Sequence, residues 1–127
     1  MAIRFLTVRS VIRIHDDQIR QYGGGSGILH RDLLESAVAA PRSTFRGQFL
    51  HPTLAEIAGA YLFHLVSNHS FVDGNKRVGA SAAITFLRLN GSNLIATEDQ
   101  LVELTLKVAS GTMPKSDVLE FFKQHVR

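Results

Sequence analysis

Two long apolar segments separated by a short polar break constrain this chain more than any other feature of its sequence. Leu54, Ile57, Ala58, Tyr61, Leu62, Leu65 and Val66 precede the break, and Val78, Ala82, Ala83, Ile84, Phe86, Leu87 and Leu89 follow it. Neither segment alternates with period two, and both are rich in leucine or alanine. They therefore read as helices buried on most sides, not as strands. The break, His69-Ser70-Phe71-Val72-Asp73-Gly74-Asn75-Lys76-Arg77, gathers an imidazole, a carboxylate, an amide and two cations. Polar groups held between two buried walls mark a candidate site.

With 127 residues and 45% hydrophobic content, the chain suits one domain, 1–127, that buries roughly two-thirds of its unfolded surface. It has no apolar run of about 18 residues or more and no leader pattern at its start, so a soluble, cytoplasmic protein without membrane partners is expected. Without cysteine, any metal must be held by histidine or carboxylate. The balance of 14 Lys+Arg against 11 Asp+Glu gives +3 and a pI near 9.7. The cations are nevertheless scattered. Arg9, Arg13 and Arg20 can share a helix face, but His15, Asp16 and Asp17 interrupt it, which favours a solvated face over a nucleic-acid stripe.

In chain order, Ile3 to Leu6 is β-prone, and Thr7 caps a helix running to about Gln21 with Val8, Val11, Ile12, His15 and Ile19 at helical spacing. The run Tyr22-Gly23-Gly24-Gly25-Ser26-Gly27 lacks a following Gly-Lys-Ser/Thr and reads as a flexible helix exit. A second helix spans Arg31 to Ala40 and stops at Pro41. The basic and aromatic segment Arg42 to Phe49 is either a surface connector or a flap that grips another chain. Thr53 with Glu56 and Thr97 with Gln100 form capping boxes that open the first wall and a later helix to Ser110, and Ser116 caps a last helix to about Val126. The expected architecture is all-α, a compact bundle of about six helices with the motif loop between two central ones.

Asp73-Gly74 is also a hairpin signal, but the flanks do not alternate, so the turn joins helices and the second wall begins at Gly74-Asn75. Unsatisfied N–H groups at a helix start carry partial positive charge and attract anions. Lys76 and Arg77 add two full charges, which makes phosphate the natural guest. A carboxylate in such a cradle repels the guest unless a cation lies between them, so Asp73 reads as a Mg²⁺ ligand. His69 stands on the other side of the turn, where an imidazole can accept a proton from an attacking hydroxyl at neutral pH. Phe71 points inward and pins the loop. The set as a whole fits hydroxyl attack on a phosphoanhydride. Singly, each residue also has an ordinary reading: a histidine capping a helix end, or an aspartate forming a turn.

His69, Phe71, Asp73, Gly74, Asn75 and Arg77 match the signature His-x-Phe-x-Asp/Glu-Gly-Asn-x-Arg, and on this match the chain resembles the Fic/Doc family. His15-Asp16, Tyr22-Gly23-Gly24 and Phe86-Leu87-Arg88-Leu89-Asn90-Gly91 extend the likeness to its Doc-type toxins over nearly the whole length. The resemblance implies the helical Fic fold, ATP as donor and a toxin neutralised by a cognate antitoxin. It also implies His69 as general base, Asp73 as Mg²⁺ ligand, Gly74 and Asn75 as phosphate holders, and Lys76 and Arg77 as stabilisers of transition-state charge. Mainstream members have glycine where this chain has Lys76 and a second arginine where it has Ala80, and they transfer AMP. Doc-like members carry Asn-Lys-Arg, bind the nucleotide reversed and pass the γ-phosphate to a threonine of elongation factor Tu, arresting translation. A side chain at 76 fills space and adds a point charge, which changes which phosphates settle in the cradle.

Gly74 follows the mainstream pattern. Ser116 and Glu120 approach the inhibitory Ser/Thr-x-x-x-Glu-Gly/Asn helix of some members, and Phe121 breaks it. A Doc-like protein kinase is thus expected. AMP transfer stands as the alternative, followed by a non-catalytic binding module or a metal phosphohydrolase built from His15-Asp16, His64 and His69.

Overall fold

The computed structural model describes residues 2–127 and is helical apart from one small hairpin. Helix α1 (Val8–Tyr22) is followed by α2 (Arg31–Ala39), a 3₁₀ turn (Ala40–Arg42), strands β1 (Thr44–Phe45) and β2 (Gln48–Phe49), and helices α3 (Leu54–Asn68), α4 (Asn75–Leu89), α5 (Glu98–Ala109) and α6 (Lys115–His125). The all-α expectation of six helices therefore holds, with the two apolar segments as α3 and α4.

Helix α3 is the hub. It packs against α2, α4, α5, α6 and the 3₁₀ turn, and Ile57, Ala58, Ala60, Tyr61, Leu62 and Val66 along it have no exposed surface. A helix apolar on every side has to be wrapped on every side. Its closest neighbour is α4. A β-carbon on Gly79 would lie 2.5 Å from Val66 Cγ2 and 3.2 Å from the Leu62 carbonyl oxygen, so the two backbones touch where no side chain fits. Ala82 and Ala83 share this buried face. Ala80 is only half-buried and lines a surface groove toward α5.

Helix starts follow threonine in three places. The Thr7 and Thr97 hydroxyls accept from Ser10 and Gln100 backbone N–H groups, and those residues' side chains return the bond, completing both boxes. Thr53 Oγ1 accepts from Glu56 N at 3.2 Å, but the Glu56 carboxylate meets the threonine hydroxyl at 2.8 Å and not the backbone N–H, so only half of that box forms. The last helix begins before Ser116. The Pro114 carbonyl accepts from Asp117 N at 3.1 Å and Val118 N at 3.3 Å, and the proline holds a φ that feeds into a helix, so Pro114 occupies the cap.

The N-terminal stretch forms no strand. Arg4 exchanges backbone bonds with the Asn90 side chain at 2.9 and 3.0 Å, and Leu6 N donates to the Tyr61 hydroxyl at 2.9 Å. The Arg42 to Phe49 segment is more regular than the sequence indicates: Thr44 pairs with Phe49 and Phe45 with Gln48. The connecting Arg46 and Gly47 both have positive φ, 52° and 79°, which is the hairpin turn geometry. Phe45 is 62% exposed at its tip. No helix among the described residues is long and apolar enough to cross a membrane.

Candidate active site

The break between α3 and α4 forms an open pocket of about 420 Å³, lined by His69 and by Val72 through Arg77. The turn thus brings together His69, Asp73, Gly74, Asn75, Lys76 and Arg77.

Helix α3 ends at His69, which takes the left-handed conformation (φ 48°, ψ 49°) that more often belongs to glycine. That twist carries the imidazole out of the helix and into solvent at the pocket wall. Ser70 and Phe71 then turn inward. The Ser70 carbonyl accepts from Leu29 N at 2.8 Å and His30 N at 3.0 Å. Phe71 is 2% exposed and stacks face to face on His15, with centroids 3.9 Å apart. The inward pin expected of Phe71 is present, and its stacking partner is a histidine from α1.

His15 also explains part of the turn's shape. Its Nε2–H donates to the Asp73 carbonyl at 2.7 Å, and the α-carbon of Gly74 lies so near that an added β-carbon would sit 3.5 Å from the same nitrogen. The Asn75 carboxamide clasps the loop from below. Its Nδ2 donates to the Phe71 carbonyl, and its Oδ1 accepts from Phe71 N, both at 3.0 Å. This clasp was not foreseen from the sequence, which assigns Asn75 to the guest alone.

Asp73 stands at the apex with its carboxylate exposed. Oδ1 accepts from Gly74 N at 2.8 Å and Oδ2 from Gly25 N at 3.3 Å. These backbone bonds, Gly74 first and Gly25 second, hold its pKa below the usual carboxylate value, with Lys76 and Arg77 contributing less. Each oxygen accepts one of these bonds and so keeps further acceptor capacity. One anionic carboxylate open to solvent suits Mg²⁺, which retains most of its waters and needs few protein ligands.

The glycine run is part of this site and not a free exit. Gly24 has φ 112°, and a β-carbon there would stand 2.6 Å from Asp73 Oδ2. Val72 N donates to Gly27 O at 3.1 Å, and Ile28 bridges to Phe71. The run therefore forms a wall against which the carboxylate is set.

Helix α4 starts at Gly74 (φ 79°) with no side-chain cap, so its first backbone N–H groups remain available to a guest. This is the helix start at which the sequence leads one to expect an anion cradle. Lys76 and Arg77 are exposed at its edge, and none of the ion pairs among the described residues involves either of them. The Arg77 guanidinium rests 4.4 Å from the centre of the Tyr22 ring.

The metal phosphohydrolase alternative is overturned. His15 is committed to the Asp73 carbonyl, the charged and titratable groups acting on His64 are Lys115 and His51, and no group of three or more histidine or acidic side chains among the described residues can hold a metal. Glu120, of the near-inhibitory motif, bonds Lys123 at 3.4 Å and Gln124 at 3.3 Å on α6 and does not line the pocket.

Residues 5–87, which contain the whole pocket, match the model of the Fic/DOC family. Over 78 residues, 61% of this chain and 60% of the relative, the sequence is 44% identical to "Toxin Doc" of Mycolicibacterium smegmatis. Over 122 residues, 96% of this chain and 95% of the relative, it is 27% identical to "Protein kinase doc" of Escherichia phage P1.

Proposed function

The chain belongs to the Fic/DOC family, and on that premise we propose that it is a Doc-type toxin acting as a protein kinase, with a cognate antitoxin as its partner. It transfers the γ-phosphate of ATP to a serine or threonine hydroxyl of a translation factor resembling elongation factor Tu, in the cytoplasm. The reading is carried by one observation: an exposed imidazole, an exposed carboxylate and an uncapped helix start converge on a single open pocket edged by two cations, Lys76 and Arg77. The relatives named for toxin and kinase activity support it.

In this reaction a ring nitrogen of His69 takes the proton of the acceptor hydroxyl as its oxygen attacks the γ-phosphorus, and the bond to the β-phosphate oxygen breaks to release ADP. The N–H groups at the start of α4, beginning with Asn75, hold phosphate oxygens, and Lys76 and Arg77 meet the charge that spreads over them. Asp73 would hold Mg²⁺, which when bound screens the phosphates from one another and from the carboxylate. Lys76 favours phosphate over AMP transfer because its stem and charge occupy part of the cradle, and Ala80 supplies no second arginine to grip a further phosphate.

The test is incubation with elongation factor Tu and ATP labelled at the γ- or, separately, the α-phosphate. Label from the γ position alone, absent with His69→Ala, is expected. Transfer of the α label makes the protein an AMP transferase, and growth arrest undiminished by His69→Ala makes it a binding module.

A further inference from the structure

The turn between α3 and α4 is held on its flanks by the Asn75 clasp on Phe71 and by Val72 N, which donates to Gly27 O at 3.1 Å. Its apex is the peptide unit that joins Asp73 to Gly74. The carbonyl of that unit accepts from His15 Nε2–H at 2.7 Å, and its N–H donates to Asp73 Oδ1 at 2.8 Å. A trans peptide is planar and points its C=O and N–H in opposite directions. By drawing the carbonyl toward α1, His15 therefore turns the N–H toward the carboxylate. The backbone alone does not fix that orientation. Gly74 sits at φ 79°, and glycine adopts either sign of φ with little penalty, so without a tether the unit is free to rotate and aim its N–H elsewhere.

We propose that His15 is the positioning residue of the Asp73 carboxylate, acting on it through the Asp73–Gly74 peptide unit. The inference rests on Asp73 being the magnesium ligand of the proposed reaction and adds what holds that ligand in place. Imidazole N–H to carbonyl and amide N–H to carboxylate form a chain in which each bond polarises the next. The chain ends on an anionic acceptor, where hydrogen bonds are strongest.

His15 combines three properties that this task requires. Its flat ring lies on Phe71 with centroids 3.9 Å apart and planes 10° apart, which fixes the direction of its polar edge. A carbonyl only accepts, so the ring hydrogen facing it is on Nε2. The ring is also thin enough for the Gly74 α-carbon to approach, since a β-carbon there would lie 3.5 Å from Nε2 and 3.6 Å from Cδ2. At 1% exposure, His15 makes its bond where water does not compete. Ile19, one turn further along the same face of α1, meets the apex too: its Cδ1 lies 3.6 Å from the place of a β-carbon on Gly74 and 3.4 Å from that on Gly24. Helix α1 thus braces the turn at two successive levels, and only the upper one carries a donor.

The unaltered chain gives the first test. Nitrogen-15 shifts of the His15 ring should place hydrogen on Nε2, and hydrogen exchange should find the Gly74 amide protected; hydrogen on Nδ1 alone overturns the proposal. His15→Phe keeps the stack and removes the donor. It is expected to fold, to speed Gly74 exchange on the order of tenfold or more, and to raise the magnesium concentration for half-maximal γ-phosphate transfer by a similar factor, the effect of one lost hydrogen bond in a chain that ends on a charge. The KM for the acceptor protein should not move. His15→Gln keeps an N–H donor and loses the ring, so it is expected to unfold at a lower temperature yet recover most of the Gly74 protection and of the magnesium affinity. Unaltered Gly74 exchange and magnesium dependence in folded His15→Phe overturns the proposal. A folded His15→Gln that matches His15→Phe in both readouts does so as well, because the ring and not the donor is then the cause. If the unaltered chain transfers no phosphate, the proposed reaction falls, and a Gly74 amide as protected in His15→Phe as in the unaltered chain still overturns the tether.

Discussion

His64 and His69 lie five residues apart, and the fold uses them in opposite ways. His64 is inside α3, edge-on to Phe63 with ring centroids 5.2 Å apart, and its Nε2 has no hydrogen-bond partner among the described residues. Burial, reinforced by Lys115 and His51, pushes its pKa down to about 4. His69 caps the same helix in a left-handed twist and stands in solvent. His64 keeps helical backbone, whereas His69 lies just past the last helical residue, Asn68, and its left-handed conformation sends its ring away from the helix. The side chain itself does not decide which histidine can do chemistry. Backbone conformation and exposure do, and of these two only His69 is open to solvent at the pocket.

The sharpest way to break this comparison is to delete each ring in turn. His69→Ala should lower phosphate transfer by about 10²–10⁴-fold with little change in the thermal unfolding midpoint, because the residue is exposed. His64→Ala should do the reverse and lower the midpoint while a folded sample keeps its turnover. A folded His64→Ala protein without activity would erase the distinction.

The next effect concerns what holds the polar end in shape. Gly24→Ala combines a positive φ with a β-carbon 2.6 Å from Asp73 Oδ2. It should displace the carboxylate and raise the magnesium concentration needed for half-maximal transfer by roughly tenfold, with about 1 kcal/mol lost in denaturant unfolding. Wild-type magnesium dependence in this variant would show that the glycine wall does not position Asp73.

At the buried end, acid is the probe. The unfolded chain protonates His64 near 6.5 and the folded chain only near 4, so between these values the unfolded state binds the extra proton. Stability should be complete above pH 6.5 and fall by on the order of 1–2 kcal/mol as pH drops toward 4. Folded His51 shifts the same way, so His64→Gln should flatten the profile only in part. An unaltered profile would place the acid sensitivity elsewhere. Smallest of all, Tyr22→Ala should free the Arg77 guanidinium and cost about 0.5–1 kcal/mol of phosphate binding, read as a few-fold rise in KM for ATP.

Much of this was legible in the sequence because it is local. Thr7 and Thr97 announce helix starts within three residues of themselves, and the apolar walls announce α3 and α4 by periodicity. The motif places His69, Asp73 and Arg77 in one turn. What was not legible depends on partners far apart in the chain. Gly24 reads as slack until Asp73, 49 residues later, is set against it. His15 reads as one more inward residue until Phe71 stacks on it. Asn75 was assigned to a guest, although its carboxamide is engaged with the Phe71 backbone, a bond that requires the turn to exist first. The cap at Pro114 was missed because serine two residues on is the commoner signal, while proline works through φ and leaves no hydrogen-bonding side chain to notice.

One consequence follows from Gly79. The α3 and α4 backbones meet there with no room for a β-carbon, so the separation between the histidine at the end of one helix and the cradle at the start of the next is set by atomic radii. It is a hard-sphere ruler placed two residues beyond Arg77. Salt and acid can change the charges that line the pocket, but neither can change its width.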